Sequence, residues 1–448
     1  MTETLQADAQ VPLGSTSLSD SGATSLLSLA LSILVIVVYA NASDLAIRDF
    51  SLPSILQPLI ALLALVVWAY RVTLRPSQVF LQPLTLLLAL YCFVLFASSL
   101  WASDVGLTDL RLAEALKSFA IYLLIGSLAF TWIGLRRAFA ALSMTAALLG
   151  FLTIVQTVTG TRNEFGGLAQ LKIGNVYGDV DMARASGPVD DPNFYAQLLL
   201  IVLPLAVFLA TTERHRFRKI VYAAAALLIA AGTVLTYSRG GIVALGLMLV
   251  LFTIAIRMRP AFLLAAVAIA IAALAVMPAG VVRRTLSVRE VLSSNTAGGP
   301  EDASIEERKL FLGAAWQMFN DHPILGVGAG NFATYFNRYA LIVGSPAVQY
   351  HDRGDPAFPH MLYLQIAAET GVVGLLCFLA AVSAAFLSLR RSHEMLAERV
   401  GITTALAIAL AGYLITALFL HGAYQRNFWI LLGFVAAIAR LPRREVAL

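Results

Sequence analysis

Apolar residues along this chain fall into long runs separated by short polar connections. A bilayer core of about 30 Å takes roughly 20 apolar residues in a helix. By that rule the pattern predicts twelve spans, near 24–40, 53–70, 79–100, 112–131, 138–158, 192–211, 220–237, 240–256, 261–278, 361–388, 400–420 and 427–440. Two longer polar stretches interrupt the series, at 159–191 and 279–360.

The connections alternate in charge. Arg71 and Arg75, Arg136 and Arg137, the Arg214–Lys219 cluster, Arg257 and Arg259, Arg390 with Arg391 and Arg399, and the arginines from 440 to 444 occupy every second one. Intervening connections at 41–52, 102–111 and 159–191 carry more Asp and Glu than Lys and Arg, and two very short ones carry a single arginine each, Arg239 and Arg426. Basic residues are retained at the cytoplasmic face, so both termini are expected there and the two long stretches on the other side. The domain reading is a polar, disordered tail over 1–23, a membrane bundle over 24–440 and a short cytoplasmic tail over 441–448. No basic segment precedes an apolar core at the N-terminus, so a cleaved signal peptide is not expected.

Composition agrees with this picture. Of 448 residues, 59% are hydrophobic and 13% charged, against about a quarter charged in soluble domains. The net charge of +5 comes from clusters at span ends, which argues against nucleic acid as a partner. Cys92 and Cys377 both fall within apolar runs and read as small buried side chains.

Inside the stretch 279–360, Ser304-Ile305-Glu306-Glu307 has the spacing of a capping box, with Ser304 at the N-cap. Leu310, Phe311, Ala314, Ala315, Met318 and Phe319 follow at helical spacing, and Pro323 ends the run. This predicts an amphipathic helix on the membrane surface or against the bundle.

No phosphate-binding loop, metal-ligand cluster or serine triad signature is present, and no cofactor is implied. Gly326, Gly328 and Gly330 lack a surrounding strand–helix unit and read as a turn. Charge near hydrocarbon is costly, which singles out Arg184, Arg239, Arg308 and His360 at span ends on the non-cytoplasmic side. Any one of these arginines is plainly explained as an interfacial anchor, and a lone histidine as a helix cap. Three of them on one side, Arg239, Arg308 and His360, form a set able to bind a phosphate or diphosphate and move a proton. His421 competes with His360 for the second task.

These residues resemble the O-antigen ligase and O-antigen polymerase superfamily over about 184–385. The Arg308–Leu312 spacing, the His360–Gly371 spacing, "TYSRGG" with Arg239, "DHPILGVGAGNF" at 321–332, "AETGVVG" at 368–374 and "SGPVDDPNFYAQ" at 186–197 carry the resemblance. It implies an all-α, GT-C-like bacterial inner-membrane glycosyltransferase, metal-independent and inverting, that takes a glycan from undecaprenyl diphosphate at the periplasmic face. His360, Arg239 and Arg308 would be catalytic, with Arg184, Tyr237 and Asn193 contacting substrate. The partners would be the lipid-linked donor, membrane lipids, and either a glycan or lipid A–core as acceptor. Between 279 and 359 seven Lys and Arg face eight Asp and Glu, too little positive charge for a phosphorylated acceptor. A polymerase is therefore favoured, with the lipid A–core ligase as the alternative. A twelve-span transporter or flippase is the rival class, and it would require functional charges near the midplane and symmetry between halves.

Overall fold

The computed structural model describes residues 19–74, 82–161, 163–174, 182–256, 300–344, 357–395, 400–422 and 425–441. Within them the chain is a helical bundle. The expected span 261–278, most of the expected N-terminal tail and the expected C-terminal tail beyond Leu441 lie outside the described residues.

Helix α1 (Ser19–Tyr39) meets α2 (Ala42–Phe50) at a 51° bend. The next elements are α3 (Leu56–Leu74), α4 (Pro83–Ala97), α5 (Val105–Leu128) and α6 (Trp132–Thr159). After the first polar stretch come α7 (Pro192–Thr212), α8 (Arg216–Leu235) and α9 (Arg239–Ile256). The C-terminal part holds α10 (Pro300–Asp321), α11 (Phe332–Val343), α12 (Leu362–Met395), α13 (Val400–Thr416) and α14 (Arg426–Arg440).

Among the described residues five helical stretches are long and apolar enough to cross a membrane, and the bent α1–α2 pair makes a sixth. Fewer stretches meet the requirement than the hydropathy pattern suggested. Helix α13 is apolar but short, and α5 carries Asp109, Arg111, Glu114 and Lys117. Helix α7 is apolar all round and buried along most of its length, as a central helix must be. It packs against α6, α8, α9 and α13. Elsewhere large apolar side chains face outwards, among them Leu62, Leu65 and Trp68 on α3, Phe93 and Phe96 on α4, and Leu376 and Leu387 on α12. Apolar surface on that scale is suited to lipid.

Two local expectations change. The stretch after α6 contains an antiparallel meander, β1 (Asn163–Glu164), β2 (Ala169–Gly174) and β3 (Met182–Ala185), so the fold is not wholly helical. In its register Lys172 faces Arg184 and Leu171 faces Ala185. Helix α10 starts at Pro300, which places Ser304 inside the helix rather than at its N-cap. Proline suits a first turn, where its missing N–H has no partner to lose. The expected apolar stripe is present: Leu310, Phe311, Ala314, Ala315 and Met318 are buried and pack with Phe332, Phe336 and Tyr339 of α11 and Ala368 of α12.

Helix α12 is broken at Gly371, whose φ of 64° and ψ of −165° leave the helical region. A break inside an apolar bundle frees backbone groups that must be satisfied within the protein. The segment after α10 satisfies them. The N–H of Val372 donates to the carbonyl of Pro323 at 2.8 Å, and that of Val373 to Ile324 at 3.3 Å. In return Val327 N–H donates to the carbonyl of Ala368 at 3.0 Å and Gly328 N–H to that of Glu369 at 2.9 Å.

The glycines of this segment are structural, as the turn reading held. Gly326, Gly328 and Gly330 all have positive φ. A Cβ on Gly328 would meet that of Ala102 at 2.7 Å, and one on Gly330 would meet Arg111 Cγ at 2.7 Å. Buried Asn331 completes the dock. Its Oδ1 accepts from Asp104 N–H at 2.7 Å, and its Nδ2 donates to Thr108 Oγ1 at 2.9 Å and to the carbonyls of Asp104 and Ala329, both at 3.1 Å.

Removing the Asn331 amide leaves buried partners unsatisfied, at about 1–3 kcal/mol each. Asn331→Ala is therefore expected to destabilise the protein by at least ~2 kcal/mol, and Gly326→Ala by a similar amount through its left-handed backbone. Thermal unfolding of the variants in lipid nanodiscs checks both, and midpoints equal to that of the parent would contradict the docking role.

Candidate functional site

Three helices begin at one end of the bundle in the same way. Asp190, Tyr237 and His360 are non-glycine residues with φ of 55°, 53° and 49°, and each sits two residues before its helix: α7 at Pro192, α9 at Arg239 and α12 at Leu362. Left-handed backbone at such residues costs of order 1–3 kcal/mol and persists only where the surroundings enforce it. Here the enforcing contacts are visible.

Arg184 on β3 holds two of these starts together. Its Nε donates to the carbonyl of Thr236 at 3.2 Å, and its Nη2 donates to the carbonyl of Tyr237 at 3.2 Å and to Asn193 Oδ1 at 3.1 Å. Asn193 Oδ1 also accepts from Ser238 Oγ at 2.9 Å, and Ser238 Oγ accepts the Gly241 N–H at 3.2 Å, capping α9. Asp191 caps α7 by accepting from the N–H groups of Asn193 and Phe194 at 2.8 and 2.9 Å. Arg184, Asn193 and the backbone of Tyr237, expected to contact substrate, thus make a web that positions the first turn of α9. The glycines after Arg239 let that turn sit close to its neighbours. A Cβ on Gly241 would meet Ala196 Cβ of α7 at 2.7 Å, and one on Gly240 would meet the Phe419 ring at 3.2 Å. Arg239, the half-buried first residue of α9, is thereby set beside the α7 start.

The third start is tied in from α13. Leu362 N–H donates to the carbonyl of Ala417 at 3.0 Å, and Gln365 Oε1 accepts from Gly422 N–H at 2.9 Å. His360 lies in an aromatic box. Its ring centroid is 5.5 Å from that of Phe311 on α10 and 5.5 Å from that of His421. Phe358 stacks on His421 at 4.1 Å and 3°, and Phe194 meets it edge-on at 5.0 Å. Arg308, exposed on α10 one helical turn before Phe311, brings its charge to bear on the same imidazole, as does Asp191 from the α7 cap.

Burial among these rings pushes the His360 imidazole down to about 4 from its ordinary 6.5, with Arg308 adding to the effect and Asp191 opposing it. His421 is pushed down to about 3, chiefly by burial, with lesser contributions from His360 and Arg111. Both rings are therefore neutral at pH 7. A neutral imidazole beside a guanidinium, near helix N-termini that favour anions, can accept a proton while negative charge is held close by.

The structure brings Arg308 and Asp191 within electrostatic reach of His360, and joins the α9 start that carries Arg239 to the α7 start through Ser238 and Asn193. Sequence reasoning missed the aromatic box, because Phe194, Phe311 and Phe358 are far apart in the chain and read as ordinary apolar residues. It also missed two ion pairs at this end, Arg426–Asp44 at 3.0 Å and Arg111–Glu114 at 2.9 Å. Their signal was available as charges at the edges of apolar runs.

Residues 224–379 match the family model described as O-antigen ligase. No curated protein matches the chain significantly. The matched segment takes in Arg239, Arg308, the docking segment 323–331, His360 and the break at Gly371, and over it the chain is similar to the O-antigen ligase family.

Proposed function

We propose that the chain is an inverting glycosyltransferase that moves a glycan from undecaprenyl diphosphate to an acceptor hydroxyl at the periplasmic face of a bacterial inner membrane. The observation that carries this reading is the packing of the His360 ring against Phe311 and His421, with Arg308 one turn before Phe311, where α12 begins. In the reaction the acceptor oxygen attacks the anomeric carbon from the face opposite the diphosphate. Its proton passes to an imidazole nitrogen of His360. The bond from the anomeric carbon to the diphosphate oxygen breaks, and the electron pair leaves with the diphosphate. Arg239 and Arg308 stabilise the charge that develops there, so the reading needs no metal. Arg184 and Asn193 act by holding the α9 start, and the half-buried Tyr237, two residues before Arg239, is taken as a sugar contact.

The distribution of charge supports the orientation. The end of the bundle away from His360 carries Arg136 and Arg218 around Glu213, with Arg390 and Arg440 at the ends of α12 and α14. Basic residues gathered there fit a cytoplasmic face and both termini on that side, within a twelve-span layout. A transporter would concentrate functional charge near the midplane, whereas the groups named above lie at one end. The acceptor is taken to be another lipid-linked glycan, making the enzyme a polymerase of surface polysaccharide; lipid A–core is the alternative acceptor.

His360→Ala is expected to lower glycan transfer by about 10²–10⁴-fold, and Arg239→Ala and Arg308→Ala each by about 10²–10³-fold. Assay of purified protein with a defined undecaprenyl-diphosphate glycan checks this, and near-full activity in His360→Ala would sink the base assignment. Product identity, longer lipid-linked chains or glycosylated lipid A, decides between the acceptors.

The pH profile gives a further check. Because the folded value of His360 lies below 6.5, the active neutral form persists as pH falls through 6.5, and kcat/KM should decline only towards pH 4. Between those values the unfolded chain binds the extra proton, so the stabilising effect of a neutral His360 is complete above about 6.5 and lost as pH drops towards 4. Phe311→Ala opens the box and is expected to move the acid limb of kcat/KM upwards, towards 6.5. An unmoved limb would mean that burial in this box does not control the base.

A further inference from the structure

A cavity of about 270 Å³ lies next to the aromatic box, and its wall includes neither Arg239 nor Arg308. It is shared by the α1–α2 elbow, the first half of α5, the start of α12, the 421–422 turn and the start of α14. Sites for drug-sized ligands span roughly 300–1,000 Å³, so this space suits a single small ring rather than a lipid chain.

Its chemistry is specific. Two guanidinium–carboxylate pairs line it, Arg426 with Asp44 at 3.0 and 3.3 Å, and Arg111 with Glu114 at 2.9 Å. Two cations and two anions cancel, so the cavity holds no net attraction for a phosphate. What it offers is donors and acceptors side by side, which a hydroxyl, able both to donate and to accept, can use at once. Phe194, Phe358 and His421 supply an apolar wall against which the C–H face of a ring can lie. The ring of His421 lines the cavity while its Nδ1 is buried, without a hydrogen-bond partner among the described residues. His360 is not part of the wall, but its ring contacts that of His421, which is, with 5.5 Å between the centroids.

We propose that this cavity is a binding site for one uncharged sugar unit of the acceptor glycan, holding it so that its hydroxyl reaches His360. The inference rests on the transfer reading above and deepens it, since it specifies a neutral acceptor sugar bound apart from the diphosphate.

The test uses the full-length protein in nanodiscs and saturation-transfer NMR, with the methyl pyranosides of glucose, galactose and mannose as neutral probes and glucose 6-phosphate as the charged one. At least one neutral glycoside is expected to bind, and the phosphate is not. Glu114→Gln and Asn427→Ala, two partly exposed positions on the cavity wall, should each weaken that binding by about tenfold and raise the KM for the acceptor while leaving the KM for the donor unchanged. Binding of the phosphate alone, no binding of any neutral glycoside, or unaltered binding and acceptor KM in a folded variant overturns the proposal. His360→Ala separates the two readings: it should keep glycoside binding while losing transfer, and transfer that persists with glycoside binding intact refutes the base assignment without touching the sugar site.

Discussion

Breaking a helix inside an apolar bundle leaves N–H and C=O groups facing a medium that cannot hydrate them, so a break survives only where other backbone reaches it. The break of α12 at Gly371 meets that condition through four hydrogen bonds to residues 323–328. Much else hangs on this exchange. The segment that fills the break directly follows α10, so docking it anchors the C-terminal end of the helix that carries Arg308 and Phe311. The same segment runs on to Asn331, whose bonds to Asp104 and Thr108 bind it to α5. One backbone repair thus aligns α5, α10, α11 and α12 around His360.

The site end of the bundle then works by enforced local strain. Asp190, Tyr237 and His360 each adopt left-handed backbone just before a helix, and each is pinned by neighbours of distant sequence. Arg184 bonds the 236–237 carbonyls across about fifty residues, and His360 sits between rings from α10 and the 421 turn. A side chain held on a strained residue between packed rings has little freedom to swing away, and such preorganisation is what proton transfer at a fixed distance requires.

Charge is sorted into distinct zones. The far end is basic around Glu213. The cavity beside His421 balances Arg111 and Arg426 against Glu114 and Asp44. Beside it stand two imidazoles, His421 in its wall and His360 against His421, kept neutral mainly by burial. A diphosphate and an uncharged sugar would be drawn to different zones on either side of one base, which is the arrangement a transfer from one to the other needs.

Hydropathy determined by itself that this is a helical membrane protein, because apolar runs of bilayer length have few other outcomes. The apolar stripe of α10 and the turn role of the glycines at 326–330 were also legible, since each depends on neighbours in sequence. The small sheet around Arg184 was not, because its strands are short. Nor was the start of α10, where a capping-box spacing at Ser304 fell inside a longer helix. Tertiary structure alone decided what surrounds His360. Phe194, Phe311, Phe358 and His421 come from four separate elements, and Asp44 pairs with Arg426 across 382 positions. Such contacts have no period and no local spacing for a sequence to display; they exist only once the bundle has closed.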